Sequence, residues 1–389
     1  MILTSQDFIL LCFQFPLCLW LVKYLSKRVD ENLRSHFKRG IILKLIACIV
    51  LGLIYQFYYG FGDTLMYFNH SKFLTGAIVK SPKNTFSYLF STDDEFYSFF
   101  SYYIDQLYEA SYYFRTANIT MIKIAAVFNF ISLNSFFGTG FIFCFFSYFG
   151  QWKIFTVFYR AYPDIGEKFA YSLYIPSVIF WSSGILKDSF CIGCIGLIIY
   201  ICENLSFKNL RILIKIPILV ICCYLTFIIK AYILFCLLIP LIVWRYSLII
   251  KRIGFKLFVK RYLWLNAILA FFVFSFGHIK ALFQDVSLPD LYLLLLKTRT
   301  GFESSTDSDG SSFTLGEFSP TITGFLTQIP KAVNAVIFRP YVWESKKIFS
   351  LVAAGESLMF LFIAIFVFYK TGIKSSIKII LNNPDVFFC

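Results

Sequence analysis

The sequence predicts an all-α, polytopic membrane protein built as a transmembrane helical bundle. Of its 389 residues, 58% are hydrophobic and only 15% are charged. Apolar runs close to the ~20 residues that a helix needs to cross hydrocarbon recur along the whole chain. Lys and Arg gather in short segments beside these runs, as the positive-inside rule requires of cytoplasmic loops. We therefore expect about nine spans in a single integral-membrane domain, 1–389.

The first two spans set the predicted orientation. The run Phe8–Tyr24 has no basic region before it, and no small-residue cleavage site follows it. We therefore expect it to be a first membrane-spanning helix rather than a cleaved signal peptide. The segment 23–44, which comes next, is the most basic part of the chain and is expected to be cytoplasmic. The N-terminus is therefore expected outside, and the second span, Ile41–Tyr59, returns to the outer face.

The remaining spans follow from the alternation of apolar runs and basic loops. One lies within 120–150, preceded by a partly inserted segment, and six more are expected at 169–183, 190–202, 216–229, 233–244, 262–276 and 351–369. The cytoplasmic loops 23–44, 151–168, 203–215, 245–261 and 370–389 hold 22 of the 36 Lys and Arg residues. The C-terminus is thus predicted to be cytoplasmic, and two long outer loops, 60–120 and 277–350, are expected to carry short interfacial helices.

Composition narrows the function classes. The net charge of +14 does not indicate a nucleic-acid partner, because the positive charge follows the predicted membrane topology. Ten of the eleven cysteines fall within apolar segments, where they are expected to act as small hydrophobic residues. Cys191 and Cys194 lie on a predicted helix with no second Cys or His pair nearby, so no metal or redox site is predicted there.

A carboxylate follows the second span directly. Asp63 stands behind Gly60 and Gly62, with Tyr67 one helical turn later. An acid at the end of a span is costly to desolvate and so calls for a reason. The functional interpretation is an acid that belongs to a site, and the alternative is an interfacial acid that marks the end of a helix.

A second feature is the predicted hairpin 176–188, which contains Trp181, two serines, a glycine and the pair Lys187–Asp188. Polar and small residues at membrane depth are tolerated where the backbone lines a cavity within the protein. The alternative is a helix hairpin whose turn is capped by Lys187 and Asp188. Lys230, between two predicted spans, is either a snorkelling side chain or a cation of the same cavity.

A third feature precedes the last span, where Arg339, Trp343 and Glu344 lie close together in the sequence. The planar guanidinium of Arg339 is suited to binding a phosphate. The alternative is an interfacial arginine that pairs with Glu344 or with lipid headgroups.

The motif Gly62-Asp63-x-x-x-Tyr67 after an early span resembles the first outer loop of the GT-C superfamily of integral-membrane glycosyltransferases. In that superfamily the outer-loop acid assists the acceptor, and the donor is a sugar on a polyprenyl phosphate or diphosphate; Asp63 is the matching position. The hairpin 176–188 and the segment 338–344 are similar to bacterial membrane proteins grouped with these transferases and with exopolysaccharide polymerases. The sequence departs from the pattern, because an extra span precedes Asp63 and the second acid is only represented by candidates, Asp93, Asp94 and Glu95.

The resemblance implies transfer of a sugar from a polyprenyl-linked donor to a glycan or lipid-linked acceptor, at the outer face of a bacterial inner membrane. Asp63 would be the base, and Lys187, Arg339 and Lys230 would bind the phosphate. Asp188 and Glu344 are further candidates for the substrate site. Tyr67, Trp181 and Trp343 would stack on sugar rings. A divalent cation is left open because no ligand set is evident. Three alternatives are a polymerase of lipid-linked oligosaccharide repeats, a transporter or flippase, and a non-catalytic membrane subunit.

Overall fold

The computed structural model describes residues 3–103, 116–164, 166–204, 212–253, 321–345, 348–372 and 374–376. Within them the chain is all-α. The helices are α1 (Ser5–Ser26), α2 (Arg34–Ile54), α3 (Asp63–Lys80), α4 (Pro82–Thr85), α5 (Asp93–Tyr103), α6 (Thr116–Ile131), α7 (Phe136–Ala161), α8 (Pro176–Trp181), α9 (Lys187–Glu203), α10 (Ile212–Ile253), α11 (Ile322–Phe338) and α12 (Ile348–Thr371). Shorter 3₁₀ segments occupy Glu31–Leu33, Phe86–Leu89, Gly166–Tyr174 and Val342–Glu344, and a π-helical turn covers Tyr55–Tyr59.

Five helices of the described part are long and apolar enough to cross a membrane: Ser5–Ser26, Glu31–Tyr59, Phe136–Ala161, Ile212–Leu238 and Ser350–Thr371. Much of their apolar surface is exposed, including Phe13 and Trp20 of α1 and Phe362 of α12. Surface of this kind is suited to lipid rather than to water. The chain is therefore a multi-pass membrane protein.

The expectation of about nine spans is wrong for the described residues. The predicted span 169–183 is a 3₁₀ segment followed by the six-residue α8, because Pro176 interrupts the run and the chain then enters a loop at Ser182. The predicted spans 216–229 and 233–244 lie on either side of a break at Lys230, which divides α10 into two helical segments, and this stretch holds one candidate span, Ile212–Leu238. The span predicted at 262–276 lies outside the described residues.

The chain forms two compact units, Met1–Leu241 and Ile242–Cys389. In the first unit α7 is the central helix, and it packs against α1, α2, α6 and, most extensively, α9. In the second unit α11 packs against α12.

Glycines allow α7 and α9 to approach closely. A Cβ atom added at Gly196 would lie 2.1 Å from the backbone oxygen of Gly150, and one added at Gly150 would lie 2.4 Å from the backbone oxygen of Ile192. Small residues at such crossings let backbones touch, which is how helices gain van der Waals contact inside a membrane.

Several buried polar side chains of the first unit form hydrogen bonds that join its helices. Asp7 is buried and accepts hydrogen bonds from the backbone nitrogen of Phe136 (2.9 Å) and from Thr4, so it ties the start of α1 to the start of α7. Asn129 of α6 donates to Ser71 Oγ of α3 (2.6 Å) and accepts from Thr139 of α7. Such pairing is required where no water can satisfy a polar group.

Candidate functional site

The turn that delivers Asp63 is built by two glycines. The backbone nitrogen of Gly60 donates to the carbonyl of Tyr55 (2.9 Å) at a φ of 74°, which closes the wide turn at the end of α2. Gly62 has a φ of 136°, and a Cβ there would lie 2.3 Å from the ring of Tyr55. Both positions therefore favour glycine. Asp63 then begins α3 and is exposed, at the helix end where a negative charge is stabilised.

The chain between α8 and α9 forms a buried loop, Ser182–Leu186, which we call the inner loop. All five of its residues are buried. Gly184 has a φ of 88°, and a Cβ there would lie 3.2 Å from Leu51 of α2 and 4.0 Å from Thr64 Oγ1 of α3. The inner loop thus runs beside α2 and the first turn of α3, as expected for non-helical backbone that is shielded by protein.

The inner loop ends at the charged pair Lys187–Asp188, which begins α9. The ammonium of Lys187 lies 6.0 Å from the ring centroid of Tyr67. Tyr67 itself is fully buried, and its hydroxyl donates to Asn118 Oδ1 (2.7 Å). The hydrogen bond to Asn118 therefore fixes the Tyr67 ring beside Lys187, and this ring is not exposed at the surface.

Lys230 pairs with Asp188 across a break in α10. Its backbone leaves the helical region (φ −149°, ψ 77°), and its Nζ lies 2.6 Å from Asp188 Oδ1. The Lys230 side chain is 20% exposed and the Asp188 side chain 46%. Lys230 is thus fixed by an acid of the hairpin.

These charges lie around the inner loop. Asp63 begins α3 beside it, because Thr64 Oγ1, in the next residue, lies 4.0 Å from the Cβ position of Gly184. Lys187 and Asp188 directly follow the inner loop, and Lys230 pairs with Asp188. We call Asp63, Lys187, Asp188 and Lys230 the charged cluster; it places an exposed carboxylate and two ammonium groups around the inner loop.

Two buried hydroxyls border the charged cluster. Thr64 Oγ1 and Ser189 Oγ follow Asp63 and Asp188 directly in the sequence, and neither has a hydrogen-bond partner among the described residues. Buried hydroxyls without a protein partner are uncommon and call for a water or a ligand atom. Their positions in the first turns of α3 and α9 add donors to those of the helix termini.

The other predicted site residues are not members of the charged cluster. Trp181 ends α8, is half exposed and packs edge-on against Phe180. In the second unit, Arg339 Nη2 lies 2.7 Å from Glu344 Oε1, so the arginine pairs with Glu344 as the alternative prediction stated. Trp343 is strongly exposed and stacks on Tyr341, with ring centroids 4.8 Å apart.

The candidates for a second acid lie at the start of α5, where Glu95 Oε2 accepts from the backbone nitrogen of Thr92 (3.1 Å). Within the described ranges no group of three or more His, Cys, Asp or Glu side chains forms a metal-ligand set. The ten cysteines described are all free thiols.

Sequence reasoning missed Lys44, which it placed in a cytoplasmic loop. Lys44 instead lies near the middle of α2 and is fully buried. Its ammonium donates to Gln151 Oε1 of α7 and to Ser182 Oγ of the inner loop, both at 2.7 Å. The signal available in the sequence was its position inside an apolar run, Ile41–Ile46, rather than at its edge.

Comparison with known proteins adds no assignment to this geometry. No family model, no curated protein and no solved structure matches the chain.

Proposed function

We propose that this protein is a membrane glycosyltransferase that moves a sugar from a polyprenyl-phosphate donor to a glycan or lipid-linked acceptor. The observation that carries the proposal is the charged cluster, in which the exposed Asp63 carboxylate begins α3 beside the inner loop, Lys187 directly follows that loop, and Lys230 pairs with Asp188. Transfer from a lipid phosphate needs a base near the acceptor hydroxyl and cations near the departing phosphate.

The roles within the cluster follow from the contacts of each group. Asp63 is exposed at a helix start, so its carboxylate is accessible to an acceptor hydroxyl. Lys187 directly follows the inner loop and is the proposed phosphate ligand, whereas Lys230 is paired with Asp188. Lys187 also begins a 17-residue helix, whose N-terminal end favours an anion. The apolar surfaces of the flanking helices would hold the polyprenyl chain beside this end.

Replacing Lys187 with Met tests the phosphate ligand. We expect the dissociation constant for unsubstituted polyprenyl phosphate to rise by about ten- to a hundredfold, because a hydrogen bond to a charged group is lost. The measurement is native mass spectrometry of the full-length protein titrated with the lipid. Lys153→Met is the matched control, since Lys153 lies on α7 over the ring of Tyr200 (4.0 Å). Equal affinities of wild type and Lys187→Met would remove Lys187 from the site.

The proposal places the cluster at the outer face of the membrane, following the distribution of Lys and Arg. A cysteine introduced at Gly310 should then react with a membrane-impermeant maleimide added outside intact cells, whereas one at Lys374 should be protected. Both variants are compared with the unsubstituted protein, which contains cysteines of its own. Protection at position 310 together with labelling at 374 would reverse the orientation.

Product analysis separates the competing functions. Proteoliposomes receive a polyprenyl-phosphate hexose carrying a radiolabel, with a panel of mono- and oligosaccharide acceptors. A new glycosidic bond to a single sugar supports the transferase, and repeated addition of a lipid-linked oligosaccharide supports the polymerase. Movement of label across the membrane without a new bond supports a transporter and contradicts the proposal.

A further inference from the structure

Lys44 is an ionisable group that the proposed chemistry does not use directly. It is fully buried near the middle of α2, a helix that is long and apolar enough to cross a membrane. Its two hydrogen-bond acceptors, Gln151 Oε1 and Ser182 Oγ, are neutral. Among the described residues it makes no ion pair, since the described salt bridges join Arg34–Glu31, Lys230–Asp188 and Arg339–Glu344.

Burying Lys44 in this way is energetically unfavourable. Burying an ammonium without a counter-ion costs several kcal/mol or more, and a Leu or Met in the same place would pack without that cost. Charged residues inside membrane spans are therefore found where they do something that apolar side chains cannot. The hydrogen bonds of Lys44 indicate which elements it joins.

The ammonium connects three elements at one point. Ser182 accepts from Lys44, donates to the carbonyl of Val178 in α8 and lies 3.5 Å from Gln151 Nε2. The thiol of Cys144 donates to the Lys44 carbonyl (3.6 Å), so the backbone of α2 is tied to α7 at the same level. Lys44 thus joins α2, α7 and the first residue of the inner loop.

The inner loop is short enough to transmit this constraint. Only four residues, Ser183–Leu186, separate Ser182, which Lys44 contacts, from Lys187, and all four are buried. Beyond Ser182 the loop packs at Gly184 against Leu51 and Thr64, and its last residue Leu186 accepts the hydrogen bond from Phe190 that begins α9. Displacement of Ser182 would therefore shift the start of α9, where Lys187 and Asp188 lie.

We propose that Lys44 is a positioning residue, whose ammonium fastens the inner loop to α2 and α7 and thereby sets the place of Lys187 and Asp188 in the charged cluster. The proposed effect of Lys44 on phosphate binding rests on the proposed function, whereas its proposed effect on the position of the inner loop does not. Lys44 acts through its hydrogen bond to Ser182.

The first test measures the inner loop itself. Amide hydrogen exchange is followed by mass spectrometry in the full-length, reconstituted protein, in peptides covering 182–190 and in peptides of α2 and α7. In Lys44→Met we expect exchange about ten- to a hundredfold faster in the inner loop, with little change elsewhere. Ser182→Ala should reproduce this result. Ser147→Ala is the matched control, because the Ser147 hydroxyl is buried with no partner among the described residues.

A triple variant, Lys44→Met with Gln151→Leu and Ser182→Ala, distinguishes a role of Lys44 in positioning the inner loop from a general contribution to the stability of the fold. Replacing the whole polar group by apolar side chains should restore or raise the unfolding temperature, while exchange in the inner loop stays fast. Exchange that is unchanged in Lys44→Met, or that rises equally throughout the unit, would overturn the proposal.

The second test asks whether the effect reaches Lys187. Both Lys44→Met and Lys187→Met should weaken binding of unsubstituted polyprenyl phosphate. If Lys44 acts by placing Lys187, the double variant should bind no more weakly than Lys187→Met alone. Additive losses would overturn this route. A wild-type protein that does not bind the lipid would contradict the proposed function, while the exchange measurement would still decide the role of Lys44.

Discussion

Replacing Asp63 with Asn is expected to reduce sugar transfer by about 10²- to 10⁴-fold, the contribution usually made by a positioned general base. The amide keeps the size of the side chain but cannot take a proton from the acceptor hydroxyl. Binding of unsubstituted polyprenyl phosphate should change little, because the lysines of the charged cluster are untouched. Transfer is measured as labelled product formed in proteoliposomes at saturating donor.

The fold should tolerate this substitution. Asp63 is exposed, so the unfolding temperature of Asp63→Asn in detergent should match that of the wild type. Asp164→Asn is the matched control, since Asp164 is also an exposed acid and lies beyond α7. Glu95→Gln examines a candidate second acid in the same assay. Transfer at the wild-type rate in Asp63→Asn would remove this residue from the mechanism.

Replacing Gly196 with Ala is expected to lower the free energy of unfolding by about 1–3 kcal/mol, the usual cost of overpacking a tight contact. The added Cβ would meet the backbone of Gly150 at 2.1 Å, and backbone cannot move aside as the end of a flexible side chain can. Gly196→Leu should prevent the crossing of α7 and α9 altogether. Thermal unfolding in detergent measures both effects.

Gly76→Ala provides the control for this series. Gly76 lies in α3, and a Cβ there would meet no atom within 4 Å. Alanine is the better helix former, so this variant should be neutral or more stable by about 0.5–1 kcal/mol. Equal unfolding temperatures for Gly196→Ala and Gly76→Ala would show that α7 and α9 pack more loosely than the structure indicates.

The hairpin 176–188 illustrates where sequence reasoning worked for the site. A proline, small residues and a charged pair inside an apolar region indicated backbone shielded by protein as one of two alternatives, and the inner loop has that environment. The acid that pairs with Lys230 could not be predicted, because Asp188 is 42 residues away in the chain and only packing brings the two together. The pairing of Arg339 with Glu344 was one of two stated alternatives, since those residues are close in sequence.

The sequence by itself determined the helical class, the membrane environment and the glycine turn that carries Asp63. These depend on local quantities: the length of apolar runs, the placement of Lys and Arg, and the backbone angles that glycine permits. Only the structure showed how many runs become long helices: the run 169–183 is a 3₁₀ segment and a six-residue helix, and α10 is interrupted at Lys230, whose side chain pairs with the distant Asp188. The burial of Lys44 also depends on tertiary structure. Lys44 follows a basic segment in the sequence, yet α7 and the inner loop enclose its side chain. Whether a side chain on a helix is buried depends on which other elements pack against that helix, and the local sequence pattern does not specify those elements.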